Sequence, residues 1–219
     1  MDVIAVIGGT GELGQGLVAR WALAGQEVVI GSRSLDKAKK VARDVSKKLK
    51  LKRPVEAATN LDAAKKADII VLSVPFESIG WILSEIKPVM TTEKILLSMV
   101  VPLKFDSEGI VYSPPPSGSA AEEVARMVSR SKVVSAFYTI RAKQLHDVDS
   151  PISCDVVICG DDNDAKKKVT GLVRAISGVR PIDGGPLRNS RLVESMIALL
   201  LELTRKYKVS GVRVKFEGI

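Results

Sequence analysis

Five apolar, mostly β-branched residues, Val3-Ile4-Ala5-Val6-Ile7, run straight into Gly8-Gly9-Thr10-Gly11-Glu12-Leu13-Gly14. The first run reads as a strand buried on both faces. Leu13, Leu17, Val18, Trp21 and Ala22 then recur at helical spacing, and Gly25 supplies a stop. Val28-Val29-Ile30 opens a second strand that ends at Gly31. A strand–glycine turn–helix–strand unit leaves few folds open, because it is the first step of a parallel sheet with helices laid across it.

Gly9, Gly11 and Gly14 make a G-x-G-x-x-G with Thr10, Glu12 and Leu13 between them. In such a loop one glycine makes the turn, one lets backbone approach a pyrophosphate, and one lets helix and strand pack closely. The helix behind it offers free N–H groups to phosphate. A turn serving only packing would use the same glycines, but the flanking strand and helix favour a dinucleotide site. The end of the second strand selects the nucleotide. An NAD site places a carboxylate there for the ribose 2′-OH. This chain has Ser32-Arg33, with Lys37 one turn further on. A hydroxyl, a guanidinium and an ammonium suit a 2′-phosphate, which predicts NADP(H) over NAD(H).

The rest of the chain repeats the alternation. Strands are expected near Val55–Ala58, Asp68–Ser73, Lys94–Ser98, Val133–Phe137, Asp155–Gly160, Val179–Asp183 and Val212–Phe216. Helices are expected between them, including one capped by Asn60 and one capped by Ser119 or Ser117. A long apolar helix is expected over about Ser190 to Lys206. The fold class is α/β: a Rossmann-type, doubly wound parallel sheet with a smaller C-terminal α/β portion. We divide it into a dinucleotide-binding domain over 1–145 and a small C-terminal domain over 146–219. Ligands bind at the carboxyl ends of such strands, which puts Ser73, Val74 and Pro75 beside the cofactor.

The formal charge of +8 raises the question of nucleic acid. The basic residues concentrate between Lys37 and Arg53, alternating with Ala38, Val41, Val45 and Leu49. That is the solvated face of one amphipathic helix, without interleaved aromatics for base stacking. No apolar run reaches the roughly 18 residues of a membrane span. Cys154 and Cys159 sit at odd spacing, on opposite faces of their expected strand, and do not form a C-x-x-C. Reduced cysteines and a first strand at the very N-terminus, with no leader before it, point to a cytoplasmic protein. The single histidine, His146, has no triad partner in view, and reads as a surface loop residue. Asp161, Asp162 and Asp164 read as a loop and helix start rather than a metal cluster. Glu194 reads as structural, paired with Arg191 or lying at an interface.

Gly8-Gly9-Thr10-Gly11 to Gly14, Gly31-Ser32-Arg33 with Lys37, Ser73-Val74-Pro75 and Val101-Pro102 together resemble the NADPH-dependent reductases of the deazaflavin coenzyme F420. The distinctive part is C-terminal: Cys159-Gly160-Asp161-Asp162, Arg180-Pro181, Gly185-Pro186-Leu187 and Asn189-Ser190-Arg191-Leu192-Val193-Glu194-Ser195. The resemblance covers nearly the whole chain. It implies a homodimer in which the deazaflavin stacks on nicotinamide in an apolar cleft. It also implies that Thr10, Gly11, Glu12, Leu13, Ser32, Arg33 and Lys37 hold NADP, with Val74, Ser78, Val101 and Ala142 along it. The deazaflavin is implied to lie against Ile140, Leu192 and Met196. Relatives often carry His at Tyr138 and a small residue or Pro at Arg141, both where the second ring is expected. Arg141 and Lys143 would suit its phosphate or acidic tail, though solvent-exposed charges would look the same.

Ring-to-ring hydride transfer needs no nucleophile, acid or base from the protein, so no catalytic side chain is expected. Two alternatives keep the same nucleotide pocket. One is an NADPH-dependent flavin or ferric reductase, and the other is a non-enzymatic NADP-sensing module.

Overall fold

The structure, a computed structural model, describes residues 2–107 and 109–219. The chain opens as the sequence predicts, with β1 (Val3–Ile7), α1 (Glu12–Leu23) and β2 (Glu27–Ser32). It continues through α2 (Leu35–Lys48), β3 (Glu56–Thr59), α3 (Asn60–Lys66) and β4 (Ile69–Leu72). A 3-10 turn over Phe76–Ser78 leads into α4 (Ile79–Ile86), and β5 (Ile95–Ser98) follows. After β5 come a two-stranded hairpin, β6 (Leu103–Phe105) and β7 (Ile110–Tyr112), then α5 (Ala120–Met127) and β8 (Lys132–Ser135). The last elements are α6 (Ala142–His146), β9 (Cys154–Gly160), α7 (Asn163–Arg174), β10 (Val179–Asp183) and α8 (Ser190–Lys206).

Eight strands form one sheet in the order β10-β9-β8-β5-β4-β1-β2-β3. All neighbours are parallel except β8 and β9. The chain starts at an interior strand, winds out to the edge strand β3, then crosses back to β4. The strand order therefore reverses between β1 and β4, where a ligand crevice belongs. One face of the sheet is covered by Leu17, Val18 and Trp21 of α1, Ala38 and Ala42 of α2, and Val169 and Leu172 of α7. The other is covered by α3, α4 and α5 through Ala63, Ile82, Leu83 and Val124. Burial on both faces is why the strands are unbroken aliphatic runs rather than alternating ones. A third apolar cluster lies under α8, joining Tyr138, Val157 and Cys159 to Val193, Ile197 and Leu200. Cys154 and Cys159 are buried, free and in different clusters, as their spacing predicts.

The boundary expected near residue 145 falls inside α6, and the sheet runs across it through β9 and β10. Arg20 fastens this stretch. Its buried guanidinium donates to the carbonyls of Gln144, Leu145, Asp147, Val148 and Ser150. Gly16 lies so close that a Cβ there would meet the Leu145 side chain at 2.4 Å, so α1 and α6 pack almost backbone to side chain.

Three local expectations are corrected. Residues 212–216 form no strand. Val212, Val214 and Phe216 lie on the apolar cluster under α8 while Arg213 and Lys215 face solvent, which produces the alternation without a ladder. Thr59, not Asn60, caps α3, accepting from the Asp62 N–H at 3.1 Å. The short hairpin β6–β7 was not expected, because three-residue strands leave too little pattern to read.

Candidate functional site

The glycine loop and the end of β2 frame a cavity of about 310 Å3 at the reversal point of the sheet. Its lining includes Thr10 and Gly11, then Ser32, Arg33 and Lys37, then Val74, Pro75 and Ser78. These residues come from three elements, and the parallel register of β2, β1 and β4 brings their carboxyl ends level.

Each glycine of the loop has a different neighbourhood. Gly8 adopts φ +84°, and a Cβ there would lie 2.2 Å from the Ser73 carbonyl oxygen. At Gly14 a Cβ would lie 2.5 Å from the Gly8 carbonyl oxygen, so this glycine lets helix and turn close on each other. Gly9 is buried, and a Cβ there would lie 2.8 Å from the Val6 carbonyl oxygen. Gly11 differs: its nearest neighbour would be the Gly8 oxygen at 3.4 Å, and it faces the cavity. Protein packing does not require glycine there, whereas close approach by a ligand does. Gly11 is also the N-cap of α1, and no side chain caps that helix. Its first N–H groups are thus available to an anion.

At the far end of the cavity Ser32 is buried and accepts a hydrogen bond from the Ser34 N–H at 3.2 Å. Ser34 caps α2 by accepting from the Lys37 N–H at 3.3 Å. Arg33 and Lys37 are exposed and make no ion pair with a described residue, and the Arg33 guanidinium lies 5.1 Å from the Trp81 ring centroid. This contact with the ring leaves the guanidinium N–H groups available to an anion. Asn60 also lines the cavity. Its Nδ2 donates to Glu85 at 3.3 Å, while its buried Oδ1 has no partner among the described residues. A buried acceptor without a donor, an uncapped helix start and unpaired cations all fit a phosphorylated dinucleotide.

The remaining sequence-derived residues are dispersed. Glu12 is exposed, and its carboxylate lies 3.2 Å from His146 Nε2 at the end of α6, so His146 is not an isolated loop residue. Leu13 packs against the core on the α1 face. Ala142 is the first residue of α6. Val101 and Met196 pack on the same cluster as Tyr138. Ile140 is buried in the core on the α1 side, and Leu192 projects into solvent at 71% exposure. Sequence reading missed Asn60 and Trp81 as cavity residues. Both arrive from elements far along the chain and belong to no motif.

Glu194 corrects a further expectation. Arg191 pairs with Glu122 at 2.7 Å, not with Glu194. Glu194 is fully buried and accepts from the Ala120 and Ala121 N–H groups at 2.8 and 3.1 Å. It also accepts from the Tyr138 and Tyr112 hydroxyls at 2.9 and 3.4 Å. Burial raises its carboxyl to about 7, and the four hydrogen bonds hold it from rising further. Asp162 caps α7, accepting from the Ala165 N–H at 2.8 Å, and Asp161 accepts from Leu187 N–H at 2.9 Å. No cluster of metal-ligating side chains occurs among the described residues.

Comparison with known proteins agrees with this architecture. A family model described as "NADP oxidoreductase coenzyme F420-dependent" matches residues 3–102. The F420-dependent NADP reductase of Methanocaldococcus jannaschii is 40% identical over 227 residues, spanning 99% of this chain and 98% of its own length. That of Methanothermobacter thermautotrophicus is 39% identical, spanning 96% of this chain and 94% of its own. A crystal structure from Arthrobacter sp. FB24, assigned to the same reductases, superimposes with a TM-score of 0.82 at 24% identity and 99% coverage of both chains, which shows the shared fold. The chain belongs to the F420-dependent NADP reductase family.

Proposed function

We propose that the protein is an oxidoreductase that transfers a hydride between NADP(H) and coenzyme F420. The observation that carries the nucleotide half is the set Ser32, Arg33 and Lys37 around one end of a cavity whose other end is the Gly11 turn. Family membership supports the deazaflavin half. The two carriers supply the chemistry, one ring carbon giving a hydride to the other. The protein's task is to hold the donor and acceptor carbons about 3–3.5 Å apart and keep water out.

In this reading Gly11 gives the pyrophosphate room, Gly9 and Gly14 let the turn close on the strand and helix behind it, and the α1 N–H groups from Glu12 and Leu13 onward face the pyrophosphate. Thr10, Ser32, Arg33 and Lys37 fix the adenosine 2′-phosphate end. Val74, Pro75, Ser78, Val101 and Ala142 guide the nicotinamide. Tyr138, Ile140 and Met196 form the side toward the deazaflavin, and Leu192 closes it from the rim of α8. Glu194 holds the Tyr138 hydroxyl and thereby the wall on that side.

The exposed leucines of α8, Leu192 and Leu199, stand two turns apart on one face. We assign this face to a homodimer contact, which would bring Leu192 out of solvent. Light scattering on the wild type and Leu199→Lys tests it: a monomeric mass for both would remove the assignment. No helix among the described residues is long and apolar enough to cross a membrane. A cytoplasmic location suits two buried free cysteines and two carriers that cells keep inside.

Mixing the protein with NADPH and oxidised F420 should bleach the deazaflavin absorbance with multiple turnovers. Bleaching of flavins alone would replace the acceptor. Absence of turnover with every acceptor would replace the enzyme by a sensor.

A further inference from the structure

A second basic concavity lies beyond the end of β8. Arg141, Lys143, Gln144 and Asp147 line one side, and Ser210, Gly211 and Arg213 of the tail after α8 line the other, around about 240 Å3. The tail is shaped to the guanidinium of Arg141. Gly211 sits at φ +140°, and a Cβ there would overlap the Arg141 side chain. Arg213 is steadied by donating to the Ser153 carbonyl at 3.4 Å. Arg141, Lys143 and Arg213 form no ion pair with any described residue. The acidic residue on the lining, Asp147, acts instead on the buried Arg20, whose guanidinium also bonds its carbonyl.

Three cations turned into one small concavity repel each other, and a multivalent anion bound there would relieve that repulsion. Surface charges scattered for solubility would not need a glycine crossing over one of them. Arg141 also stands between Ile140 and Ala142, the two residues that the proposed function sets along the paired rings.

We propose that Arg141, Lys143 and Arg213 form an anion subsite for the phosphate and carboxylate groups of the deazaflavin's side chain, distinct from the pocket of Arg33 and Lys37. The proposal rests on the hydride-transfer reading for the identity of its ligand. It makes the C-terminal tail part of the substrate site and gives this chain a preference for the intact, polyanionic carrier over its uncharged ring fragment.

The test compares the intact deazaflavin with the riboside fragment that lacks phosphate and glutamates, using the full-length protein. The wild type should show a KM for the intact carrier about tenfold below that for the fragment, a gap that narrows with salt. In Arg141→Gln/Arg213→Gln the KM for the intact carrier should rise about tenfold, with the fragment's KM moving less than twofold. Arg141→Lys should recover part of the preference. Gly211→Ala, which displaces the guanidinium while keeping every charge, should raise the intact carrier's KM several-fold. Equal changes for both substrates, or none for the intact one, would overturn the subsite. If neither substrate turns over, the hydride-transfer reading fails, and fluorescence titration of the intact deazaflavin decides the subsite. Salt-sensitive binding lost in the double variant upholds it, and binding unchanged or absent in both proteins overturns it.

Discussion

Two helix starts in this molecule use their free N–H groups in opposite ways. The start of α1 has glycine as its cap, no capping side chain and open cavity in front of it. The start of α5 is capped by Ser119, which accepts from the Glu122 N–H at 3.1 Å. A carboxylate of the same chain, Glu194, also sits on its next two N–H groups. The physics is shared: free N–H groups and a positive dipole end favour an anion. At α1 no side chain fills that role, and we propose that the anion comes from outside. At α5 the acceptor is internal, the Glu194 carboxyl, so the same N–H groups tie α8 to the sheet. A helix start becomes a binding site when the fold declines to fill it.

The harshest way to break the first half of this comparison is Gly14→Val. Its Cβ would meet the Gly8 carbonyl at 2.5 Å, and its branches would reach further. We expect a loss of about 3 kcal/mol in unfolding free energy, read by urea melts, together with loss of NADPH binding. Arg33→Ala should come next. Losing charge-assisted hydrogen bonds of about 2–3 kcal/mol predicts a roughly 30- to 150-fold rise in the KM for NADPH, with NADH changed less than threefold. Equal losses for both would mean that Arg33 does not read the 2′-phosphate.

Glu194→Gln sharpens the second half. An amide cannot accept from both Ala120 and Ala121 while keeping its NH2 group satisfied, which should cost about 1–3 kcal/mol. The pH dependence carries its own sign. Folded Glu194 holds its proton to about pH 7. The unfolded carboxyl releases it near 4.5. Between those values the unfolded state binds fewer protons, so Glu194 makes stability fall as pH rises, levelling off once the pH has passed through about 7. The wild type's advantage over Glu194→Gln should therefore shrink by on the order of 2–3 kcal/mol from pH 4.5 to 7 in parallel melts. A constant gap would show that Glu194 is ionised throughout. The smallest effect belongs to Trp81→Ala. Removing a ring that only orients Arg33 should cost about 0.5–1 kcal/mol, a two- to fivefold rise in the KM for NADPH.

What could be read beforehand follows the same division. The glycine turn, the end of β2 and the strand alternation are local, because strand, turn and helix follow one another directly. They gave the sheet, the position of the nucleotide cavity and its basic end. Asn60 and Trp81 enter that cavity only because β3 and α4 stack beside β2 and β4, which no local pattern encodes. Glu194 left a fainter trace. It falls at helical spacing with Ser190, Val193 and Ile197, on the side of α8 that turns inward. A carboxylate on a buried stripe calls for donors, but Tyr112, Ala120 and Tyr138 lie more than fifty residues away. The tail at Val212–Phe216 misled for the opposite reason: its alternation was genuine, yet it recorded contact with side chains rather than pairing with a neighbouring strand.

Arg20 has a bearing on how the molecule works over time. Five carbonyl oxygens between residues 144 and 150 converge on its single guanidinium. Proteins that close like jaws depend on a slack joint, and here the segment from β8 to β9 is held by a strut. We therefore expect the cleft to keep its shape when NADP binds. Superimposable small-angle scattering curves with and without NADP would be its signature, whereas compaction on binding would reveal a joint that bends after all.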